Sequence, residues 1–361
     1  MSLPSLTIGD LLVPKAIIQG GMGVGISLSG LAAAVASAGG LGVISAAGIG
    51  MNEPDFSTNY VEANNRALSR EILTARTKTS GALGVNIMVA KTNYAQLVMT
   101  AIKEKVDVIF SGAGLPLDLP SYLGKARTKL VPIVSSARAA VILCRKWLSH
   151  FHRAPDAFVV EGPLAGGHLG FKAEQLDDPA FALEKLLVEV LEGVRPYQAP
   201  NGRAIPVIAA GGVYTGADIH RFIKLGAAGV QMGTRFVATH ECDADIRFKQ
   251  CYLAAKKEDM MIIRSPVGLP GRAIRNAFLD SRDTGAKAVC PYHCIQHCDQ
   301  ANAPYCITMA LANAKKGQLK LGFAFAGQNA YRVHDIVSVA ELMAELEAGY
   351  DQAALEDASQ A

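Results

Sequence analysis

Val159-Val160-Glu161-Gly162-Pro163-Leu164-Ala165-Gly166-Gly167-His168-Leu169-Gly170-Phe171 is a β-branched run that ends in a glycine-rich loop with one histidine among the glycines. The run is short, apolar and does not alternate, as expected of a strand buried on both faces. Seven further stretches read the same way: Ala16–Gln19, Gly42–Ala46, Leu83–Met88, Val106–Ser111, Leu130–Ser135, Ile205–Ala210 and Gly229–Gly233. With Ala157–Glu161 they make eight, separated by helical patterns such as Tyr60–Arg76, Tyr94–Lys105, Ala137–His150, Ala180–Val194 and Gly216–Leu225. Eight βα units at similar spacing predict an α/β fold, a (β/α)8 TIM barrel, rather than an open doubly wound sheet.

Such a barrel carries its active site at the C-terminal ends of the strands. The chain places Met22, Asn86, Gly112, Ser135, Glu161, Gly211 and Thr234 there. Read alone, the histidine loop is equally well a mobile connection. At the end of the sixth strand it becomes a candidate site, because glycine lets a backbone approach a ligand closely and histidine titrates near neutral pH. Two glycine turns, Ala210-Gly211-Gly212-Val213 and Met232-Gly233-Thr234-Arg235, follow the seventh and eighth strands, where barrels hold phosphate. Their backbone N–H groups, the Thr234 hydroxyl and the start of the helix near Thr215–Asp218 predict an anion site. Neither turn is a Rossmann or P-loop fingerprint.

Composition bounds the alternatives. Of 361 residues, 50% are hydrophobic and the formal net charge is +3, with no basic block to suggest nucleic acid. No apolar run reaches membrane-spanning length and the first residues lack the pattern of a signal peptide, so a cytoplasmic enzyme acting on a small molecule is expected. Domain boundaries are expected at 1–241 for the barrel, 242–317 for an appended substrate lobe, and 318–361 for a segment returning to the barrel. Ser27 or Ser29 is expected to cap the first helix. Ser338-Val339-Ala340-Glu341 is a capping box for a last helix ending near Ala348, with a frayed tail beyond Tyr350.

The combination of these motifs resembles the nitronate monooxygenase (2-nitropropane dioxygenase) and enoyl-acyl-carrier-protein reductase II family of FMN-dependent oxidoreductases. The matching segments are Gln19–Met22, Gly84–Asn86, Gly112–Pro116, Glu161–Gly170, Pro206–Gly212, Gln231–Phe236 and Ala326–Gln328. The resemblance implies that Gly21, Met22 and Asn86 line the flavin ring, with Gly23 and Gly167 beside them. It implies that Gly211, Gly212, Gly233 and Thr234 hold the FMN phosphate, with Gln231 at the same strand end. Ser135 and Gln328 fall in flavin-site segments, and His168 matches the catalytic histidine. Two chemistries follow: oxidation of an alkyl nitronate to a carbonyl compound and nitrite, or reduction of an enoyl thioester by NAD(P)H. A histidine that positions substrate or moves a proton serves both.

The segment Cys290-Pro291-Tyr292-His293-Cys294-Ile295-Gln296-His297-Cys298, followed by Cys306, departs from that family core. Its spacing puts Cys290, Cys294 and Cys298 on one face of a helix. Four thiolates could hold a [4Fe–4S] cluster, which would make the protein a flavin and iron–sulfur electron-transfer module. Four cysteines, or a set including His293 or His297, could hold zinc; or the cysteines simply pack. Arg264, Arg272 and Arg275 read as a solvated surface or as contacts to an anionic substrate. A homodimer is an option the sequence leaves open.

Overall fold

The computed structural model describes residues 2–281, 292–296, 298 and 303–360. Eight parallel strands form one sheet: β1 (Ile17–Gln19), β2 (Gly42–Ser45), β3 (Leu83–Met88), β4 (Val108–Gly112), β5 (Lys129–Val134), β6 (Phe158–Glu161), β7 (Val207–Ala210) and β8 (Gly229–Met232). Neighbours follow chain order, and β8 pairs back onto β1, with Gln231 opposite Ile18. A bridge between Ile18 and Leu41 brings the two ends of the sheet together, giving the expected TIM-barrel architecture.

The strands do not alternate because both faces are buried. Ile18, Val43, Val131, Val159 and Ile208 meet inside the barrel. Their neighbours Ile17, Ile44, Val160 and Ala209 join the larger cluster under the helices. An antiparallel hairpin, Leu6–Ile8 with Leu11–Val13, adds Leu6, Ile8 and Val13 to the inner cluster.

The helices are α1 (Ser29–Ser37), α2 (Tyr60–Lys78), α3 (Tyr94–Lys103), α4 (Ala137–Phe151), α5 (Leu183–Val194), α6 (Gly216–Lys224), the short α7 (Thr234–Val237), α8 (Ile246–Ala254), a further single turn Ala277–Asp280, α9 (Ile307–Lys315) and α10 (Val339–Gln360). After β4 the expected helix is only a 3-10 turn, Leu119–Tyr122. After β8, α7 is four residues long, and α10 packs beside α6 and α1. The capping box forms as predicted, with the Ser338 N–H and hydroxyl on Glu341 and the Glu341 N–H on Ser338. The helix it opens does not fray at Tyr350 but runs to Gln360.

The N-terminus of α1 corrects another expectation. Neither Ser27 nor Ser29 caps it. The Asp243 carboxylate accepts from the N–H groups of Leu28, Gly30 and Leu31 at 2.7–3.2 Å, and Glu71 accepts from Ser29 at 3.0 Å. A carboxylate satisfies the unpaired donors and the positive helix end together.

Gly42, at the start of β2, is fixed by packing: a Cβ there would sit 1.9 Å from the Ala32 carbonyl oxygen of α1. Both partners are backbone in the core, so relief requires moving α1 off the sheet. We expect Gly42→Ala to cost about 3 kcal/mol, read as a lowered urea midpoint with unchanged slope.

Candidate active site

The C-terminal ends of the strands open onto a cavity of about 300 Å³, the lower end of the roughly 300–1,000 Å³ typical of small-molecule sites. Gly21, Met22, Gly23, Asn86, Gly167, His168, Gly211, Gly212, Gln231, Gly233 and Thr234 all line it. Ser135 and Gln328 do not. Ser135 lies beneath the histidine loop, its hydroxyl 2.4 Å from where a Cβ on Gly170 would stand. Gln328 ties that loop through its backbone, donating its N–H to the Leu164 carbonyl at 3.0 Å. The cavity wall is reached instead by its neighbour Asn329, whose amide donates to the Gly212 carbonyl at 2.8 Å.

Two features of the cavity are built to meet a ligand. Gly211 and Gly212 adopt φ of +90° and +104°, a conformation that disfavours side-chain-bearing residues. Among the described residues, the backbone N–H groups of Gly212 and Gly233 have no partner within the chain. Gln231 Oε1 is buried and likewise unpartnered. An unmet buried acceptor and free N–H donors beside a glycine turn fit FMN, whose phosphate takes N–H donors and whose ring edge takes amides. Gly21 allows close approach on the other side: a Cβ there would lie 2.4 Å from the Asn86 Cβ. The start of α6 contributes less than expected. Its capping box turns the Asp218 carboxylate onto the N–H groups of Tyr214 and Thr215, filling part of the positive end.

The histidine loop is stitched to residues beyond the barrel. Gly167–His168 pairs antiparallel with Gly271–Arg272, part of a hairpin formed by Met260–Arg264 and Pro270–Ile274. Arg272 is neither solvated nor a substrate contact. It is 3% exposed and donates to the carbonyls of Pro163 and Ala165, the latter at 3.0 Å. Of the other two arginines, Arg275 pairs with Asp280 on the surface and Arg264 is exposed. Gly166 must be glycine, since a Cβ would fall 2.5 Å from the backbone of Ala326 and Gly327.

His168 presents Nε2 to the Ser265 hydroxyl at 2.7 Å, and its ring stands edge-on to Phe325 with centroids 5.1 Å apart. Burial lowers its pKa to about 4, so the imidazole is neutral at physiological pH. Burial also pushes the Glu161 carboxyl, on the same cavity wall, up to about 7. The pocket is therefore poorly solvated, which strengthens electrostatic contacts made inside it.

The histidine predicts a pH dependence of stability. Above the unfolded pKa of about 6.5 both states hold it neutral. Between about 6.5 and 4 the unfolded chain binds a proton that the folded chain refuses, so stability falls as pH falls through this window, by up to about 3 kcal/mol. Urea unfolding at pH 7.5 and pH 4.5, compared between wild type and His168→Gln, isolates this contribution: the wild type should lose more.

The cysteine segment differs from its predicted form. Where described, residues 292–298 are not helical. Ile295 bridges Lys91 antiparallel, and hydrogen bonds join Thr92 to Cys294 and Gln296 to Ala90, so this stretch lies as an edge beside the loop after β3. Cys294 is buried with its sulfur 3.3 Å from the Thr308 hydroxyl, and Cys306 sits at the start of α9. Cys290 and His297 fall outside the described residues. Among the described residues no three His, Cys, Asp or Glu side chains converge as a metal site.

The sequence reading missed Lys91, Ser265, Phe325 and Asn329, and Tyr252, which lines the cavity and donates its hydroxyl to the Phe325 carbonyl. Lys91 left a signal, a single charge immediately after the apolar run Ile87-Met88-Val89-Ala90. The others come from beyond the barrel and carry no pattern that points to the site.

Residues 6–349 match the family model described as nitronate monooxygenase. A probable nitronate monooxygenase of Staphylococcus aureus is 28% identical over 293 residues, 75% of this chain and 78% of that protein. An octahydroindene-carboxyl-CoA dehydrogenase of Mycobacterium tuberculosis is 29% identical over 272 residues, 75% of this chain; the chain spans 66% of that protein's length. The structure of FabK from Thermotoga maritima superposes with a TM-score of 0.74 at 28% identity, covering 96% of both chains. No helix among the described residues is long and apolar enough to cross a membrane.

Proposed function

The chain belongs to the nitronate monooxygenase family; from that premise we propose that it is an oxidoreductase that binds FMN and oxidises alkyl nitronates to carbonyl compounds and nitrite. The observation that carries this reading is the placement of a neutral, half-buried His168 in one cavity with the unpartnered Gln231 Oε1 and the unspent N–H groups of Gly212 and Gly233.

Gly211, Gly212, Gly233 and Thr234 would hold the phosphate. Gln231, Asn86, Gly21 and Met22 would receive the ring, with Gly23 and Gly167 leaving room at its margins. Bound FMN supplies an electron acceptor for the nitronate carbon, with dioxygen as the final oxidant. His168 spends Nε2 on Ser265, which leaves Nδ1 for substrate. With a nitronate, Nδ1 orients the anion. With a neutral nitroalkane it takes the proton from the carbon bearing the nitro group, a role open to a neutral imidazole. Phe325 and Arg272 keep the ring and its loop in place.

Aerobic turnover of a nitronate by FMN-loaded protein should release nitrite and carbonyl compound in equal amounts. Nitrite at the level of the protein-free control would sink the reading. A second reading, reduction of an enoyl thioester by NAD(P)H, is favoured by the thioester named for the Mycobacterium tuberculosis relative and by the likeness to FabK.

A further inference from the structure

Lys91 lies three residues beyond the end of β3, at the active-site end of the barrel, and lines the cavity while only 2% exposed. Its surroundings are mostly apolar: Met88, Ile295, Ile307 and Leu311 line the same cavity, and the Cys294 and Cys306 thiols are the groups that act on it electrostatically. The Tyr60 ring is 5.4 Å from its ammonium. Among the described residues, no carboxylate lies within ion-pair distance and no acceptor takes a hydrogen bond from it. The contrast is Lys249, equally hidden at 5% exposure, whose ammonium is satisfied by the carbonyls of Thr239 and His240 at 2.8 and 3.0 Å. A buried cation is costly unless paired, and one aromatic face does not replace a counter-ion. An anion entering the cavity would supply the missing partner.

We propose that Lys91 is an anion subsite of the substrate cavity, receiving the terminal oxygens of a small planar anion, a carboxylate or a nitronate. The pairing sets the substrate class: an anionic ligand gains a charge-assisted bond in a poorly solvated pocket, whereas a neutral isostere leaves the ammonium unpaired. Ile295 couples the subsite to the cysteine segment, since it both lines the cavity and bridges Lys91. The proposal rests on this cavity being the substrate site, as the nitronate reading requires, but not on nitronate turnover.

The test is calorimetric titration of the FMN-loaded enzyme with butyrate and with its neutral isostere butyramide. The same is done with propyl nitronate on enzyme already reduced anaerobically, so that no oxidation occurs. Wild type should bind butyrate at least about ten-fold tighter than butyramide, and Lys91→Met should abolish that preference while Lys91→Arg retains it. Propyl nitronate should lose affinity in Lys91→Met in parallel with butyrate; butyrate loss alone assigns the subsite to carboxylates. Equal wild-type affinity for butyrate and butyramide overturns the proposal even if the methionine variant does not fold, and so does a preference that survives in Lys91→Met. Lys91-dependent anion binding without nitronate oxidation would contradict the proposed function and leave the subsite standing. Oxidation without anion preference would do the reverse.

Discussion

Replacing His168 by alanine should lower kcat/KM for a nitroalkane by about 100- to 10,000-fold, the range lost with a positioned acid or base, while FMN stays bound. Retention of cofactor follows from geometry. The candidate phosphate cradle lies at the ends of β7 and β8, and the ring pocket at the ends of β1 and β3; His168 comes from the loop after β6. Flavin absorbance of the purified variant reports binding, and initial rates report turnover. The loss should be larger with the neutral nitroalkane, which must surrender a proton, than with the preformed nitronate. Because burial holds the imidazole pKa near 4, wild-type kcat/KM for a nitronate should show no histidine inflection between pH 6 and 8. Full activity in the alanine variant would show that His168 does not do this work.

The second large effect is expected at Arg272, far from any reacting atom in sequence terms yet decisive for the loop. Its guanidinium occupies the inside of the turn that delivers His168 and satisfies the carbonyls of Pro163 and Ala165. Removing it strands two buried acceptors and leaves a void. Each hydrogen bond from a charged donor is worth about 1.5–3 kcal/mol, and each stranded group carries a desolvation cost. Arg272→Ala should therefore lower unfolding free energy by about 3–5 kcal/mol and loosen the antiparallel pairing of Gly167–His168 with Gly271–Arg272. Arg272→Lys should recover part of this, because both bonds leave the single nitrogen Nη1 and an ammonium also carries several donors. Denaturant unfolding gives the stability, and hydrogen exchange at the Leu169 amide, bonded to the Pro270 carbonyl at 2.9 Å, gives the loop opening.

Much of this architecture was legible in the sequence because it is local. Strands buried on both faces leave unbroken apolar runs, and Gly211 and Gly212 mark a turn whose geometry only a glycine satisfies cheaply. Contacts between distant segments were not legible. Asp243 accepts from the N-cap residue Leu28, 215 residues earlier, and nothing near Leu28 announces it. Arg272 looked like a surface charge because its acceptors are backbone carbonyls, which any sequence supplies. The cysteines at four-residue spacing mimic a helical face, but the edge at Ala90–Thr92 offers Cys294–Gln296 an alternative set of hydrogen bonds. The last helix was expected to end near Ala348; Gly349 lies inside α10, where its missing side chain lets the helix approach Gly216 closely, with a Cβ placed only 3.3 Å from the Gly216 Cα.

The most direct test of the central claim is the flavin absorbance of the FMN-loaded protein under anaerobic conditions, followed while propyl nitronate, NADH or NADPH is added in separate samples. The account predicts that the nitronate alone bleaches the oxidised flavin band and that admitting air restores it. Bleaching by NADH or NADPH with no response to the nitronate would contradict it in favour of the thioester reductase, and failure to take up FMN at all would contradict the assignment of the cavity.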